Sequence, residues 1–204
     1  MHWFDRFRIY WYHRKQSRRW PDDGARSLGW TDRDSQHARF SVIANSVEFD
    51  GQTVLDLGCG YGDLYPFLTA QYSIPSYLGV EQHATFYQQA KARHQNPMCA
   101  FTRGDISTMS LNPHDVVVAS GSLNYASKNE HYLTSMITRM YGLANKTLVF
   151  NLLDKHYYPA RQLLVSYHPQ GVYRFCKTLC EDVTLIDGYC DGDFTIVMNK
   201  RKSQ

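Results

Sequence analysis

The chain has 204 residues, 43% hydrophobic and 20% charged, with a formal charge of +3 and a pI of about 8.5. The length fits one domain with a sizeable core and is cramped for two, and the composition excludes long disordered tracts. The charge is too mild to mark a nucleic-acid binder by itself.

Asp5 and Arg6 interrupt the start before an apolar leader could form, and no run of about 18 apolar residues occurs, so no membrane association and a cytoplasmic location are expected. The first 50 residues interleave Trp3, Phe4, Tyr10, Trp11, Tyr12 and Trp20 with Arg6, Arg8, Arg14, Lys15, Arg18 and Arg19. That mixture suits stacking on bases beside phosphates. It equally suits an amphipathic helical lid with aromatics over a site and arginines in water, which is the preferred reading. A helix carrying Gln36, Arg39 and Phe40 then leads into the first strand.

From about residue 52 strands and helices alternate, the signature of a parallel sheet with helices on both faces. Strands are expected at 53–57, 76–81, 98–102, 115–119 and 146–151, and helices at 63–71, about 84–94 and 130–143. Tyr132, Leu133, Met136, Ile137 and Met140 share one apolar face and read as core. The last strands, 182–187 and 194–199, are separated by too few residues for a crossover helix and must pair antiparallel as a hairpin. The five cysteines, Cys59, Cys99, Cys176, Cys180 and Cys190, are scattered, suiting a reducing compartment. Cys176 and Cys180 would share a helix face, but without a nearby His pair they read as packed hydrophobes, and no metal site is expected.

The most informative stretch runs from Gln52 to Leu64. An apolar strand enters Gly58-Cys59-Gly60-Tyr61-Gly62, where missing Cβ atoms allow a tight turn and close approach of a nucleoside-type cofactor. Asp56 places a carboxylate inside that strand, which costs several kcal/mol, roughly, unless a cation or hydrogen-bond donor meets it. Dinucleotide dehydrogenases keep this strand apolar, so Asp56 argues against them.

The Asp-x-Gly-x-Gly order resembles the first motif of class I S-adenosylmethionine (SAM)-dependent methyltransferases, and the closing hairpin matches the end of their sheet. The likeness covers about residues 50–200, and Gly29-Trp30, Gln36 and Arg39-Phe40 are similar to elements of bacterial members. It implies an α/β, three-layer Rossmann-like sandwich with a seven-stranded, mostly parallel sheet and an antiparallel terminal strand. Residues 1–50 would be a helical cap and 51–204 the SAM-binding domain. SAM would be the cofactor and S-adenosylhomocysteine (SAH) the product.

By the same resemblance, Asp56, Gly58, Cys59, Gly60, Tyr61 and Gly62 would hold the methionine part of SAM, and Arg39 its carboxylate. Glu81 would accept from the ribose hydroxyls, with Gln82 beside it. Asp105 would receive the adenine amino group and Ile106 pack on the ring, while His83 is structural or adenine-adjacent. Ser120 and Gly121 open the loop 120–125, which would face SAM and the methyl acceptor. The Asn/Asp-Pro-Pro-Tyr/Phe pattern of many nitrogen methyltransferases is missing there. If a base is needed, Tyr125, His156 and Tyr157 are the candidates, with Asn124 and Tyr158, although pocket walls are the more expected role. A small-molecule acceptor is the first choice and a monomer or homodimer is expected. The alternatives are an RNA or DNA methyltransferase docking through the basic amino terminus, and a non-catalytic SAM-binding subunit.

Overall fold

A computed structural model of the chain describes residues 3–159, 163–190 and 192–201. Asp191, between the last two expected strands, and residues 160–162 lie outside that set. Three helices come first: α1 (Trp3–Arg19), α2 (Gly24–Leu28) and α3 (Arg33–Ser46). The alternation then follows as β1 (Thr53–Leu57), α4 (Leu64–Thr69), β2 (Ser76–Glu81), α5 (Ala84–Arg93), β3 (Cys99–Arg103) and β4 (His114–Ser120). The chain closes with α6 (Tyr132–Leu143), β5 (Ala144–Leu153), α7 (Pro169–Leu179), β6 (Asp182–Ile186) and β7 (Asp193–Asn199).

The seven strands form one sheet in the order β3-β2-β1-β4-β5-β7-β6. Neighbours from β3 to β5 are parallel, whereas β7 runs antiparallel to both β5 and β6. Central strands such as β4 are buried on both faces, which is why Val116, Val117, Val118 and Ala119 form a continuous apolar run rather than an alternation. On one face Phe40 and Ile43 of α3 and Leu64 and Leu68 of α4 pack with Val54, Val116 and Val118. On the other, Met136, Ile137 and Met140 of α6 and Val172 and Cys176 of α7 cover Leu55, Leu57 and Val117. Because α3 is a layer of this core, only α1 and α2 of the first 50 residues behave as a cap.

Local signals explain the cap's joints. Asp32 caps α3, its carboxylate accepting from Ser35 N–H at 2.7 Å while the Ser35 hydroxyl accepts from Asp32 N–H at 3.4 Å. Asp23 starts α2, and Gly29, at φ 96°, ends it in the left-handed region that favours glycine.

Several expected boundaries shift. The first crossover helix spans only Leu64–Thr69, and β5 is longer than expected because β4 and β7 pair with it on either side. Helix α7, read from the sequence only as a face shared by Cys176 and Cys180, had no expected bounds; Pro169 sits in its first turn, where a missing N–H breaks no helical bond, and marks its start. Cys180 is the residue just past α7 rather than a second thiol on its face, and its Sγ lies 3.1 Å from the Asn199 carbonyl.

Candidate functional site

In an open parallel sheet the crevice lies outside the carboxyl ends of the strands, where the strand order reverses. Here that point is between β1 and β4, and a cavity of about 490 Å³ occupies it. Its floor is Asp56, Gly58, Cys59 and Gly60 from β1 and its turn, with Glu81, Gln82 and His83 beyond β2. Asp105 and Ile106 follow β3, and Ser120, Gly121, Ser122 and Tyr125 follow β4. Helix α1 closes one side with Trp3, Phe7, Tyr10 and His13.

The turn after β1 is held by the protein itself. Gly58, Gly60 and Gly62 have φ of 82°, 58° and 76°, and a Cβ at Gly58 would lie 2.3 Å from that of Ser122. Gly58 N–H donates to the Val80 carbonyl at 2.8 Å, Gly60 N–H to Glu81 Oε2 at 2.9 Å and Gly62 N–H to the Cys59 carbonyl at 2.9 Å. The expectation that these N–H groups face a ligand is corrected accordingly: the glycines shape the turn, and their donors are already used.

Asp56 is buried, and the Tyr77 hydroxyl donates to its Oδ2 at 2.5 Å, so a neighbouring phenol meets the strand carboxylate within the fold. Burial raises its pKa from 3.8 to about 7, Tyr77 opposing that rise and the charge of Asp63 adding to it. Glu81 is also buried; its Oε1 accepts from His83 N–H at 2.7 Å while Oε2 holds Gly60. Burial pushes it to about 7 against those backbone donors. Two buried carboxyls that ionise more readily beside a positive charge therefore border one cavity. Asp105 accepts from the Ser107 N–H and hydroxyl at 2.9 and 2.6 Å and lies 3.6 Å from Arg6 of α1.

The cavity gathers Asp56, Gly58, Cys59, Gly60, Glu81, Gln82, Asp105, Ile106, Ser120, Gly121 and Tyr125. Five expected residues do not border it. Arg39 is buried against Asp193 and the Ser35 carbonyl with its guanidinium 4.7 Å from the Trp30 ring centroid, so an internal carboxylate takes the place expected for a cofactor's. Tyr61 turns away to meet the Ser27 hydroxyl at 2.9 Å, and the Cβ direction of Gly62 points at Phe101. His156 sits outside, its ring 2.8 Å from Asp154, and Tyr157 is 64% exposed; neither borders either cavity as a base would.

His13 was missed. It is buried, and its Nε2 lies 2.8 Å from the Tyr125 hydroxyl. Burial, helped by His83, lowers His13 to about 3, and burial pushes the Tyr125 phenol well up. A neutral imidazole therefore meets a protonated phenol, and Tyr125 keeps the proton that a base would have to be without. Its signal was the Asp5, Ile9, His13 spacing of one inward helix face. Asp5 is a second latch from α1, accepting from the Ser127 hydroxyl at 3.0 Å and Lys128 N–H at 3.2 Å. Replacing Tyr125 by Phe is expected to lower stability by about 1 kcal/mol in urea unfolding and to raise proteolysis within α1, without removing ligand binding.

A second cavity of about 290 Å³ shares Leu28, Trp30, Gly121 and Tyr125 with the first and continues to Tyr12, Gln16, Arg39 and Tyr158.

Comparisons with known proteins agree with this geometry. Residues 54–144 match a family model described as a methyltransferase domain. A trans-aconitate 2-methyltransferase of Klebsiella pneumoniae (strain 342) is 27% identical over 124 residues, which are 60% of this chain and 47% of that protein, so the match spans about half of the relative's length. A magnesium protoporphyrin IX methyltransferase of Synechocystis PCC 6803 with bound SAH superposes with a TM-score of 0.71 at 13% identity, over 96% of this chain and 100% of that one. Its SAM-bound form gives 0.70 at 13% identity, over 97% of each chain. A SAM-dependent methyltransferase of Mesorhizobium loti gives 0.64 at 11% identity, over 80% of this chain and 98% of its own. At such identities the structures show the fold, which is the Rossmann-like one of class I methyltransferases.

Proposed function

We propose that this chain, which carries a methyltransferase domain on a class I Rossmann-like fold, transfers the methyl group of SAM to a small-molecule acceptor and releases SAH. The observation that carries this reading is the meeting of Asp56, Glu81, Asp105 and Ile106 around one cavity at the switch point of the sheet. The donor set fits the cofactor. Buried carboxyls suit its positive groups and ribose hydroxyls, Asp105 suits an amino group, and Ile106 offers an apolar surface for a purine. When bound, SAM supplies a methyl carbon activated by its sulfonium.

The chain's own share is then positioning and exclusion of water. Trp30, Gly121 and Tyr125 form the wall between the two cavities, and Tyr125 is fixed by His13. With the phenol held protonated against a neutral imidazole, orientation and desolvation carry the rate rather than a general base. The acceptor's proton leaves to solvent. The second cavity, about 290 Å³, favours an acceptor of metabolite size and is the reason for preferring it over a polymer. The Klebsiella relative is named for trans-aconitate, so small carboxylic acids head the list of acceptors. Cys59, Cys99, Cys176 and Cys180 carry free thiols, in keeping with a reducing, cytoplasmic setting.

The test is transfer of radiolabelled methyl from SAM by the purified chain to a panel of small acids, phenols and amines, with bulk RNA alongside. Label in a small acceptor supports the reading. Label in RNA alone overturns the choice of acceptor, and SAM binding without transfer to anything supports a non-catalytic subunit instead.

A further inference from the structure

Helix α1 is amphipathic in the unusual sense. Its inward face is Asp5, Ile9 and His13, two of them polar, whereas Trp11 and the outer edges of Trp3 and Phe7, whose inner edges border the cavity, face solvent at the same spacing of four. Trp3 is 70% exposed, Phe7 53% and Trp11 47%, with Phe4 and Tyr10 exposed at their edges. An outward aromatic ridge of this size on a folded surface marks a contact with something else. The same helix carries six cations, Arg6, Arg8, Arg14, Lys15, Arg18 and Arg19, and its one acidic residue, Asp5, is turned inward.

We propose that the outer face of α1 docks the protein on an anionic phospholipid bilayer, lying in the plane of the interface with its aromatic ridge in the headgroup boundary. Tryptophan and phenylalanine on one face with flanking lysines and arginines form the composition that binds there, through apolar burial plus attraction to anionic lipid. No helix among the described residues is long and apolar enough to cross a membrane, so the contact is peripheral.

Charge complementarity selects this occupant over a second copy: Arg6 turns to Asp105 at the cavity, but the remaining five cations of α1 would be set against the same five of the copy. Ring geometry selects it over RNA. Phe7 and Trp11 meet at 68° with centroids 5.9 Å apart, building a ridge of edges. The Arg14 guanidinium covers a face of Trp11 at 5.1 Å, and the Lys128 ammonium covers a face of Phe4 at 4.6 Å. Base stacking needs open ring faces, whereas an interfacial helix needs apolar bulk with nearby cations.

The test is co-sedimentation of the full chain with vesicles of phosphatidylcholine alone and of phosphatidylcholine with phosphatidylglycerol, at low and high salt. Trp11 quenching by brominated lipid reports insertion, with retention on single-stranded RNA measured in parallel. Two double variants accompany it, Phe4→Ser with Trp11→Ser and Arg18→Glu with Arg19→Glu, none of these residues bordering a cavity. Salt-sensitive binding to the phosphatidylglycerol vesicles, lowered about tenfold or more in each variant while the SAH thermal shift is kept, supports the proposal. It is overturned if the wild type stays in solution with both vesicles at low salt, if both variants sediment like the wild type, or if RNA alone is retained.

Discussion

Replacing Gly58 by valine is expected to abolish SAM and SAH binding and to lower stability by about 2–5 kcal/mol, the sum of a left-handed residue and an overpacked contact. Gly58 has φ 82°, and the direction a Cβ would take ends 2.3 Å from the Ser122 Cβ. Ser122 cannot yield easily, because its hydroxyl donates to the Leu57 carbonyl at 2.6 Å and Gly121 N–H donates to Asn151 Oδ1 at 2.9 Å. The strain therefore passes into the loop that separates the two cavities. Gly51→Ala is the control: φ is 68° but nothing lies within 4 Å of the added methyl. Only the conformational part, about 1–2 kcal/mol, should be lost there, with binding retained. Urea unfolding and titration calorimetry of both variants check this.

Glu81→Ala is expected to weaken SAM binding about a hundredfold or more, and to destabilise the ligand-free protein, because two buried donors, Gly60 N–H and His83 N–H, lose their acceptor. The carboxyl also sets a pH dependence. Its folded pKa, about 7, lies above its unfolded value of 4.5, so its contribution to stability is fully present below about 4.5 and lost as pH rises to about 7. Asp56, moved from 3.8 to about 7, adds in the same direction, whereas His13, moved down, contributes above its unfolded value of 6.5 and loses that contribution as pH falls toward about 3. The melting temperature of the ligand-free protein should fall between pH 5 and 7.5, values that bracket the rise to about 7, and fall less in Glu81→Gln. SAM affinity should rise over the same range, since its positive charge favours the ionised carboxyls, and rise less for SAH, which lacks the sulfonium.

Strand-local features were legible in the sequence. Asp56, the glycine turn and Glu81 follow one another within β1, its turn and the end of β2, so their meeting at one cavity needed only the parallel crossover. The closing hairpin was equally readable from its short gap. Partners distant in sequence were not. Arg39 is claimed by Asp193, 154 residues away, and nothing near either residue announces the pair. A strand ending at Asn151 would place His156 and Tyr157 beside a site, but β5 runs on to Leu153 and Asp154 then holds His156 at the surface. The inward face of α1 is chosen by Asp5 meeting Ser127 and His13 meeting Tyr125, contacts across more than a hundred residues that also turn the aromatics outward. The expectation that those aromatics cover the site holds for the ring of Tyr10 over His83, at 5.1 Å, and for the inner edges of Trp3 and Phe7, but not for Trp11.

The central claim, that the cavity beside β1 and β4 holds the sulfur nucleoside, is tested most directly by calorimetric titration of the folded protein with SAH, using Glu81→Ala for comparison. The account predicts saturable one-to-one binding with a raised melting temperature for the wild type, and at least about a hundredfold loss in the variant. Absence of heat and of any thermal shift with both SAH and SAM, or equal binding by wild type and variant, would contradict it.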